Sequence, residues 1–420
     1  MATNLQAPKG VAEYVPPNSA ALLKIRDALL EASQLAGYQY VELPVFEDTQ
    51  LYVRGVGEAT DVVSKEMYTF EDRGGRSLTL RPEGTAGLVR SVIEHRLDRG
   101  ALPVKLSYTG PFFRAERPQK GRYRQFYQFG VEAIGSQDPM LDAEVISVAL
   151  AGIEAIGLKN CRLLVNTLGD AESREVYREK LVEYLADFDL DEATQERIKL
   201  NPLRVLDDKR PEMQEILKEA PKLSESLTPS AKERFDQVLA SLDALSIAYE
   251  VDDRLVRGLD YYVHTTFEFV HDGLGAQAAV GGGGRYDGLL ATLGGQDLGG
   301  IGFGMGIDRL ILATEAENLG LADESPVDVF VLPLGEEAVI PGMKLAQDLR
   351  SHEVATGFAF DQRSVKSAMK SADRSGARFA VIIGEQELAN SEVTVKDLRD
   401  GTQQNHSLDT LATWLKGEIQ

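Results

Sequence analysis

Residues 108–135 constrain the fold more than any other segment, because their pattern predicts two strands joined by a basic loop. In the second strand, the apolar residues of 127–133 occur at every second position and share one face. The opposite face carries Gln128, Gly130 and Glu132. At about 3.3 Å per residue, the Cα atoms of Gln128 and Glu132 lie roughly 13 Å apart. Both side chains can therefore close on a small polar ligand over Gly130.

The loop between these strands is rich in basic residues. Arg114 ends the first strand, and Arg117, Lys120, Arg122 and Arg124 follow in the loop. Guanidinium and ammonium groups bind phosphate, and arginine can do so through paired hydrogen bonds. A polar pocket and a phosphate-binding loop on one hairpin indicate chemistry that joins a small metabolite to a nucleotide. The alternative is an exposed hairpin with a solvated basic loop.

Composition bounds the class of protein. With 420 residues, 43% of them hydrophobic and 26% charged, the chain is typical of soluble globular proteins of two to three domains. We expect neither a membrane span nor a secretory signal, because the sequence lacks long apolar runs. The single cysteine, Cys161, excludes an intrachain disulfide framework and favours the cytoplasm. Five scattered histidines argue against a His/Cys metal site, and the net charge of −21 argues against DNA as a partner.

The character of the sequence changes along the chain. Residues 1–169 and 247–325 mix strand and helix patterns, which predicts one α+β domain in two parts. Residues 170–246 are helical in pattern, acidic and free of glycine, which predicts a helical insertion in that domain. In residues 326–420 strands alternate with helices, which predicts a small α/β domain with its own core.

Two glycine-rich segments indicate a close approach of a ligand to the backbone. In residues 300–306 glycine stands at every second position, so one face of the predicted strand is bare and a purine can lie on it. Arg309 follows at the start of a predicted helix. The second segment, 279–288, includes Tyr286, which can face the same pocket. Close sheet–helix packing and a flexible turn are the respective alternatives; neither segment is a Walker loop or a dinucleotide fingerprint.

A third segment, residues 255–262, places an arginine among apolar residues. Arg257 follows Val256 and precedes Gly258. An arginine in such a setting is costly unless it meets a carboxylate or a phosphate. A structural salt bridge to Asp260 is the alternative.

Together these segments resemble the class II aminoacyl-tRNA synthetases, and within that class the histidyl-tRNA synthetase family. Residues 108–135 are similar to the second motif of the class, and residues 300–312 to its third. Residues 255–262 (LVRGLDYY) and 279–289 (AVGGGGRYDGL) resemble the two signature peptides of the histidine enzymes. Residues 80–86 (LRPEGTA) resemble the segment that receives the amino acid. The resemblance runs from about residue 7 to the end of the chain.

Two departures from the family pattern are visible. Asp308 stands before Arg309 where glutamate is commoner, and residues 9–17 (KGVAEYVPP) are a loose version of the family's opening segment. The first departure leaves Arg309 intact. The second is expected to affect a dimer surface and not the chemistry.

The resemblance implies an α+β fold, with a class II antiparallel-sheet catalytic domain, a helical insertion and a C-terminal anticodon-binding α/β domain. It implies a cytoplasmic homodimer that activates L-histidine with ATP, releases pyrophosphate and transfers the histidyl group to the 3′ end of its tRNA. Mg²⁺ is expected on the outer phosphates of ATP, without a metal site built from protein ligands alone. The nearest alternative is a non-catalytic paralogue that regulates a phosphoribosyltransferase of histidine biosynthesis; an RNA-binding or kinase-regulatory module is another.

The resemblance also implies roles for single residues. The catalytic pair is Arg114 and Arg257, which neutralise the α-phosphate and the amino-acid carboxylate, while adenine stacks between Phe126 and Arg309. The implied histidine-binding residues are Glu83, Thr85, Gln128, Glu132, Tyr261, Tyr262 and Tyr286. The implied ATP-binding residues are Arg114, Phe126, Gly302, Gly304 and Arg309. The implied tRNA contacts are Arg117, Gln119, Lys120, Arg122 and Arg124. In residues 326–420, near-helical spacing predicts a second basic surface for tRNA, formed by Lys366, Lys370, Arg374 and Arg378. A solvated helix face is the alternative there.

Within the implied histidine site each group has a part. Glu83 and Thr85 hold the ammonium group, and Gln128 lies near the carboxylate. Glu132 and Tyr262 form hydrogen bonds with the imidazole nitrogens, Glu132 as an ionised carboxylate.

Overall fold

A computed structural model describes residues 5–58, 60–208, 210–322, 325–360 and 364–419. The chain divides into two compact units, Met1–Ala322 and Asp323–Gln420. Both units combine helices and strands, which agrees with the predicted α+β class. The strands of the first unit are β1 (Gln39–Tyr40), β2 (Phe46–Asp48), β3 (Tyr68–Glu71), β4 (Ser77–Leu80), β5 (Val104–Phe113), β6 (Gln125–Ile134), β7 (Cys161–Thr167), β8 (Glu250–Val251), β9 (Val263–His271), β10 (Ala279–Arg285) and β11 (Gly300–Gly306).

A large, mainly antiparallel sheet forms the centre of the first unit. Within the described residues its order is β1-β5-β6-β11-β10-β9-β7-β8, and the pairs at its two ends, β1–β5 and β7–β8, are parallel. The predicted hairpin is confirmed as β5 and β6, which pair antiparallel along their whole length. Phe129, Val131 and Ala133 of β6 are buried in the main core, as their alternation predicts. The strands β2, β4 and β3 form a separate small sheet.

Helices cover the two faces of the large sheet unequally. The helices of the first unit are α1 (Asn18–Leu35), α2 (Thr49–Val56), α3 (Thr85–Glu94), α4 (Pro139–Ala155), α5 (Ala171–Leu185), α6 (Glu192–Leu200), α7 (Pro211–Lys218), α8 (Pro229–Ala244), α9 (Leu289–Thr292) and α10 (Ile307–Ala316). One face packs against α1, α4 and α10, where residues such as Ile25, Ile146 and Leu310 complete the main core. On the other face α3 and α9 contribute Leu88 and Leu290 to a smaller cluster beside β5. The rest of that face is free to form a cleft.

The segment predicted as a helical insertion, 170–246, contains α5 to α8. Helices α5 and α7 build a small core of their own, for example from Tyr177, Leu181 and Leu217. Helix α8 differs, because its residues Val238 and Leu242 belong to the main core of the sheet. The insertion is therefore helical, as predicted, and its last helix is part of the body that carries the sheet.

The second unit is a small α/β structure. Its elements are β12 (Val329–Pro333), α11 (Glu336–Ser351), β13 (Thr356–Phe358), α12 (Val365–Ser375), β14 (Phe379–Ile383), α13 (Glu385–Asn390), β15 (Glu392–Asp397), β16 (Gln403–Ser407) and α14 (Leu408–Ile419). The sheet order is β13-β12-β14-β15-β16, and Val331, Val381 and Leu411 lie in its core. In the part of the chain that is described, no helix is both long and apolar enough to cross a lipid bilayer.

Candidate active site

A row of glycines crosses the open face of the large sheet. Antiparallel register aligns Gly130 of β6 with Gly304 of β11, and Gly304 with Gly282 of β10. Tyr108 of β5 is the neighbour of Gly130 at one end of the row, and Glu268 of β9 is the neighbour of Gly282 at the other. Residues that pair in register share a face, so this row is a flat floor between a tyrosine and a carboxylate.

Side chains from the flanks occupy both ends of this floor. A Cβ atom at Gly130 would lie 2.5 Å from the Tyr108 hydroxyl oxygen, so the tyrosine ring covers that glycine. A Cβ atom at Gly282 would lie 2.7 Å from Nη1 of Arg257, so the guanidinium rests on the backbone there. The prediction that a ligand lies directly over Gly130 is therefore wrong, because the Tyr108 side chain occupies that place. The middle glycine, Gly304, lines an open cleft.

The bare face of β11 is shorter than the sequence predicts. A side chain at Gly300 would collide with the ring of Tyr286, and one at Gly302 would collide with the carboxylate of Glu132. Only the last part of the strand, at Gly304 and Gly306, lines the cleft. Gly302 is buried beneath Glu132, which corrects the prediction that it contacts ATP.

The cleft above this floor has a volume of about 210 Å³ and is strongly charged. It brings together most of the residues predicted to contact phosphate and adenine. The predicted residues in its lining are Arg114, Arg122, Phe126, Gln128, Arg257, Gly304 and Arg309. Three carboxylates, of Glu116, Glu268 and Asp308, also line it. Cations crowded in a partly enclosed cavity make it suited to a polyanion such as a triphosphate.

Main-chain carbonyl groups hold two of the cleft arginines. Nε of Arg114 donates to the Pro82 carbonyl oxygen at 2.9 Å, and its guanidinium carbon lies 5.4 Å from the centre of the Phe126 ring. Nε of Arg309 donates to the Gly121 carbonyl oxygen at 3.0 Å, and its Nη1 donates to that of Ala279 at 2.6 Å. Both guanidinium groups are thus oriented before a ligand arrives.

Arg257 is held differently, by a carboxylate. Its Nη1 donates to Oε2 of Glu268 at 2.9 Å, and its guanidinium carbon lies 5.8 Å from the centre of the Tyr262 ring. The alternative of a salt bridge to Asp260 is wrong, because Asp260 pairs with Arg204 at 2.7 Å. Glu268 is a cleft residue that sequence reasoning missed. The available signal was a charged residue alternating with the buried Phe267 and Phe269 on one strand.

A closed polar cluster lies next to the cleft. Thr85 Oγ1 donates to Oε1 of Glu132 at 2.7 Å, and the Tyr286 hydroxyl donates to Oε2 at 2.6 Å. Glu132 and Tyr286 are each 1% exposed. Burial raises the pKa of Glu132 to about 8, although both hydrogen bonds oppose the shift. Burial thus disfavours, in the ligand-free protein, the ionised form that the sequence analysis assumes for Glu132.

Glu83 joins this cluster from the start of α3. Its two carboxylate oxygens accept hydrogen bonds from the amides of Thr85 and Ala86, each at 2.9 Å. A carboxylate is favoured at a helix N-terminus, where amide groups lack partners within the helix. The Tyr261 hydroxyl donates to Glu83 Oε2 at 3.3 Å, and the rings of Tyr261 and Tyr262 are 4.6 Å apart. The predicted histidine-binding residues are therefore together, with Gln128 alone reaching the open cleft.

The basic loop after β5 is only partly free. Arg117, Gln119 and Lys120 are exposed. Arg122, also exposed, pairs with Glu116 at 2.8 Å, and Nε of Arg124 donates to the Glu116 carbonyl oxygen at 3.2 Å. Two of the five predicted tRNA contacts in the loop are thus engaged inside the protein in this conformation.

The predicted basic surface of the second unit is smaller than expected. Lys366, Lys370 and Arg374 are exposed along α12. Arg378 lies beyond that helix, where Nε donates to Asp397 Oδ2 at 3.3 Å and Nη2 to Glu418 Oε2 at 3.3 Å. Arg378 is therefore corrected to a structural residue, since its guanidinium is tied to two carboxylates of its own unit.

Known proteins are similar to this chain over nearly its whole length. A profile of the histidyl-tRNA synthetase family matches residues 10–310, and a profile of the anticodon binding domain matches residues 328–418. The chain is 58% identical over 417 residues to the histidine--tRNA ligase of Nocardia farcinica, covering 99% of both chains. It is 59% identical to that of Mycobacterium marinum, covering 97% of both.

The fold agrees with these matches. Apo S. aureus histidyl-tRNA synthetase superposes with a TM-score of 0.81 at 38% identity, covering 98% of this chain and 100% of that one. This likeness and the anticodon binding profile confirm the predicted class II fold with its C-terminal domain. The chain belongs to the histidyl-tRNA synthetase family.

Proposed function

We propose that the cleft and the closed polar cluster act as one site, in which ATP activates L-histidine. The protein is a histidine–tRNA ligase, which forms histidyl-adenylate and pyrophosphate and then transfers the histidyl group to the 3′ end of tRNA for histidine. One observation carries the division of labour. On a single face of β6, Gln128 faces the arginine-lined cleft while Glu132 lies in the polar cluster. The carboxylate of a bound amino acid and the α-phosphate would meet between them.

The cleft arginines supply the charge that this reaction needs. When a carboxylate oxygen of histidine attacks the α-phosphorus, the bond to the bridging oxygen breaks and pyrophosphate leaves with its electrons. Two anions must approach for this step, and Arg114 and Arg257 neutralise them. Preorganised cations in a site shielded from water contribute about 3 kcal/mol or more each to such a transition state. Phe126 and Arg309 hold adenine, and alignment of the reactants adds to the rate.

Arg257 must serve both Glu268 and the phosphate. A guanidinium has five N–H donors in one plane, so the bond from Nη1 to Glu268 leaves donors for the α-phosphate. Because Nη1 and Cζ of Arg257 would lie 2.7 and 3.1 Å from a Cβ atom at Gly282, any larger residue at that position would displace the guanidinium. Glu268 and Gly282 therefore fix the place at which Arg257 meets its anion.

The closed cluster suits recognition of an imidazole ring. Glu132, Tyr262 and Tyr286 offer hydrogen-bonding groups in a buried place, and Glu83 and Thr85 offer oxygens for an ammonium group. Histidine would replace contacts that these side chains now make with one another. A pocket built to hydrogen-bond its ligand rejects analogues that lack those groups by about 10⁴ to 10⁵, which makes a separate editing step unnecessary.

Glu132→Gln is expected to weaken histidine binding more than ATP binding. Burial raises the pKa of Glu132 to about 8, so below that pH the free carboxyl supplies a proton to the complex. In the complex, this proton lies between the carboxyl and the neutral imidazole of histidine. As the pH rises above 8, free Glu132 loses this proton, and the complex can form only by taking up a proton from the solvent. The affinity for histidine should therefore fall by up to about tenfold per pH unit. Calorimetric titration of the protein with histidine, at pH values from roughly 6.5 to 9.5, measures this loss of affinity.

The glutamine variant is the control for that pH profile. Its affinity for histidine should be lower at pH 7 and should lack the decline that begins near 8 in the parent. The histidine α-amino group titrates equally in both experiments and therefore cancels. Equal losses of ATP and histidine affinity, or an unchanged pH profile, would contradict the assigned role.

Mg²⁺ is proposed as the ion that accompanies ATP. The carboxylates of Glu116 and Glu268 in the cleft are each paired with an arginine, which makes them poor sole ligands for a divalent cation. Among the described residues, no group of three or more His, Cys, Asp or Glu is arranged to hold a metal. Mg²⁺ bound mainly through outer phosphate oxygens and water fits this donor set. When bound, it neutralises phosphate charge.

We propose a cytoplasmic homodimer whose second unit grips the anticodon region of the tRNA, with the exposed residues of the 114–124 loop near the acceptor end. The regulatory paralogue is less well supported. Relatives that are 58% to 59% identical over nearly the whole chain are named histidine--tRNA ligase, and the anticodon binding profile is present.

Aminoacylation tests the proposed function. Purified protein, ATP, Mg²⁺ and labelled histidine should transfer label to tRNA for histidine in a reaction that releases AMP. A tRNA for another amino acid is the matched control and should stay unlabelled. Failure to label the tRNA under conditions where a known histidine--tRNA ligase succeeds would exclude the function.

A further inference from the structure

The opening segment of the chain runs along the active-site hairpin. Val11 forms a parallel bridge with Gln125, and the amide of Arg124 donates to the Gly10 carbonyl oxygen at 2.7 Å. At Gly10 φ is +86°, and a Cβ atom there would lie 2.6 Å from a side-chain carbon of Pro118 in the basic loop. Only glycine fits such a backbone at such a distance without strain. The segment is thus packed closely against the base of the loop.

Tyr14, at the end of this segment, reaches a buried carboxylate. Its hydroxyl donates to Oδ1 of Asp308, and its ring lies edge-on to Tyr127 with 6.1 Å between the ring centres. Asp308 is 3% exposed, and its Oδ2 accepts from the amide of Tyr127 at 2.6 Å. Burial, and then the charge of Asp308, hold the pKa of Tyr14 far above its ordinary value. Tyr14 is therefore a permanent donor to this carboxylate at physiological pH.

Asp308 connects two elements of the cleft. It stands in the first turn of α10, directly before Arg309. Its bond to the amide of Tyr127 ties that turn to β6 between Phe126 and Gln128, which both line the cleft. A shift of Asp308 would therefore move Arg309 and Phe126 relative to each other. These are the two side chains proposed to hold adenine.

We propose that Tyr14 is a positioning residue for ATP, which acts through Asp308 on the spacing between Arg309 and the β6 strand. The inference rests on the proposed function, since ATP is the ligand of that function. It also revises the expectation that residues 9–17 matter only for a dimer surface. Nothing in this role requires Tyr14 to touch a substrate. Its removal should loosen the nucleotide site and leave the histidine cluster intact.

Tyr14→Phe is the first test, by steady-state ATP–pyrophosphate exchange. A hydrogen bond to a charged group is worth enough to raise the KM for ATP roughly tenfold when it is lost. The KM for histidine should stay within about twofold, because the polar cluster is not in this path. Tyr38→Phe is the matched control. Its hydroxyl donates to Glu144 Oε2 at 3.0 Å in the same unit, outside the lining of the cleft.

A double-mutant cycle with Asp308→Asn is the second test. If Tyr14 acts through Asp308, adding Tyr14→Phe to the asparagine variant should raise the KM for ATP by less than about twofold more. Additive effects would overturn the proposal. So would equal rises in both KM values together with a lower melting temperature, which a merely structural role predicts. Should Tyr14→Phe not fold, Asp308→Asn alone must still raise the KM for ATP selectively, or the proposal fails.

The outcomes separate this inference from the function on which it rests. If the parent protein shows no histidine-dependent exchange, the proposed function fails and the inference with it. If the parent exchanges and Tyr14→Phe behaves as Tyr38→Phe does, only the inference fails. A selective loss of ATP affinity in Tyr14→Phe supports both.

Discussion

Arg257→Ala is expected to slow the formation of histidyl-adenylate by about 10² to 10³-fold or more. The guanidinium lies on the bare backbone of Gly282 and is oriented by Glu268, so its charge is fixed before ATP arrives. A charge that needs no reorganisation during the reaction is worth most in the transition state. Removal also leaves Glu268 without its cation, facing the triphosphate. Single-turnover adenylation, followed with ATP labelled at the α-phosphate, measures the change.

The control for this variant is another paired arginine of the same unit. Arg162 pairs with Glu250 and Asp272 at 2.8 Å each, on an exposed surface away from the cleft lining. Exposed pairs contribute little to stability, so Arg162→Ala should adenylate normally. The melting temperature of each variant should stay within roughly a few degrees of that of the parent. A loss below tenfold in Arg257→Ala would remove Arg257 from the catalytic pair.

Deletion of residues 326–420 is expected to leave histidine-dependent exchange measurable and to abolish most charging of tRNA. All residues that line the cleft, and all of the polar cluster, lie in the unit Met1–Ala322. The core of the second unit, around Val331 and Leu411, shares no residue with the core of the first. Loss of the second unit should therefore remove tRNA binding and spare adenylation. Parallel exchange and aminoacylation assays on the truncated protein make the comparison.

Substitutions in the full-length chain refine this result. The residues 326–420 are acidic on balance, so tRNA cannot be held there by bulk attraction. Replacing Lys366, Lys370 and Arg374 together by alanine should raise the KM for tRNA and reduce its salt dependence. Arg378→Ala is unsuitable as a partner substitution, because that residue is structural. If the truncated, folded protein charged tRNA as well as the parent, the second unit would not be a tRNA-binding domain.

Local patterns in the sequence predicted those parts of the site that lie within one element. The period of two in β6 separates Phe129 and Val131, which are buried in the core, from Gln128 and Glu132, which belong to the site. The alternating glycines of β11 likewise predict a bare strand face. Such patterns report the direction of each side chain, since strands have a fixed repeat. They do not report what lies across the sheet.

Contacts between segments that are distant in sequence could not be predicted, because local patterns do not report what lies across the sheet. Nothing local shows that Tyr108 would cover Gly130, because strand register decides it. The contact of Tyr14 with Asp308 spans 294 residues of sequence. The pairing of Arg257 with Glu268, rather than Asp260, depends on how a loop before β9 folds back over β10. Long-range register and loop closure thus decide which polar residues meet.

The protonation of the site was also hidden from the sequence. A carboxylate such as Glu132 is expected to be ionised at pH 7 from its ordinary pKa. Burial beside Thr85 and Tyr286 works against that expectation by raising the pKa to about 8. Only packing determines burial, so a single sequence carries no signal for this shift.

Exchange of labelled pyrophosphate into ATP tests the central claim most directly, because it reports the first half-reaction in the cleft without tRNA. With the purified parent protein, L-histidine should start the exchange and the other amino acids should fail to do so. Histidinol, which lacks the attacking carboxylate, should inhibit it without supporting it. Exchange that starts with another amino acid, or that histidine does not stimulate, would contradict the assignment of this site to histidine activation.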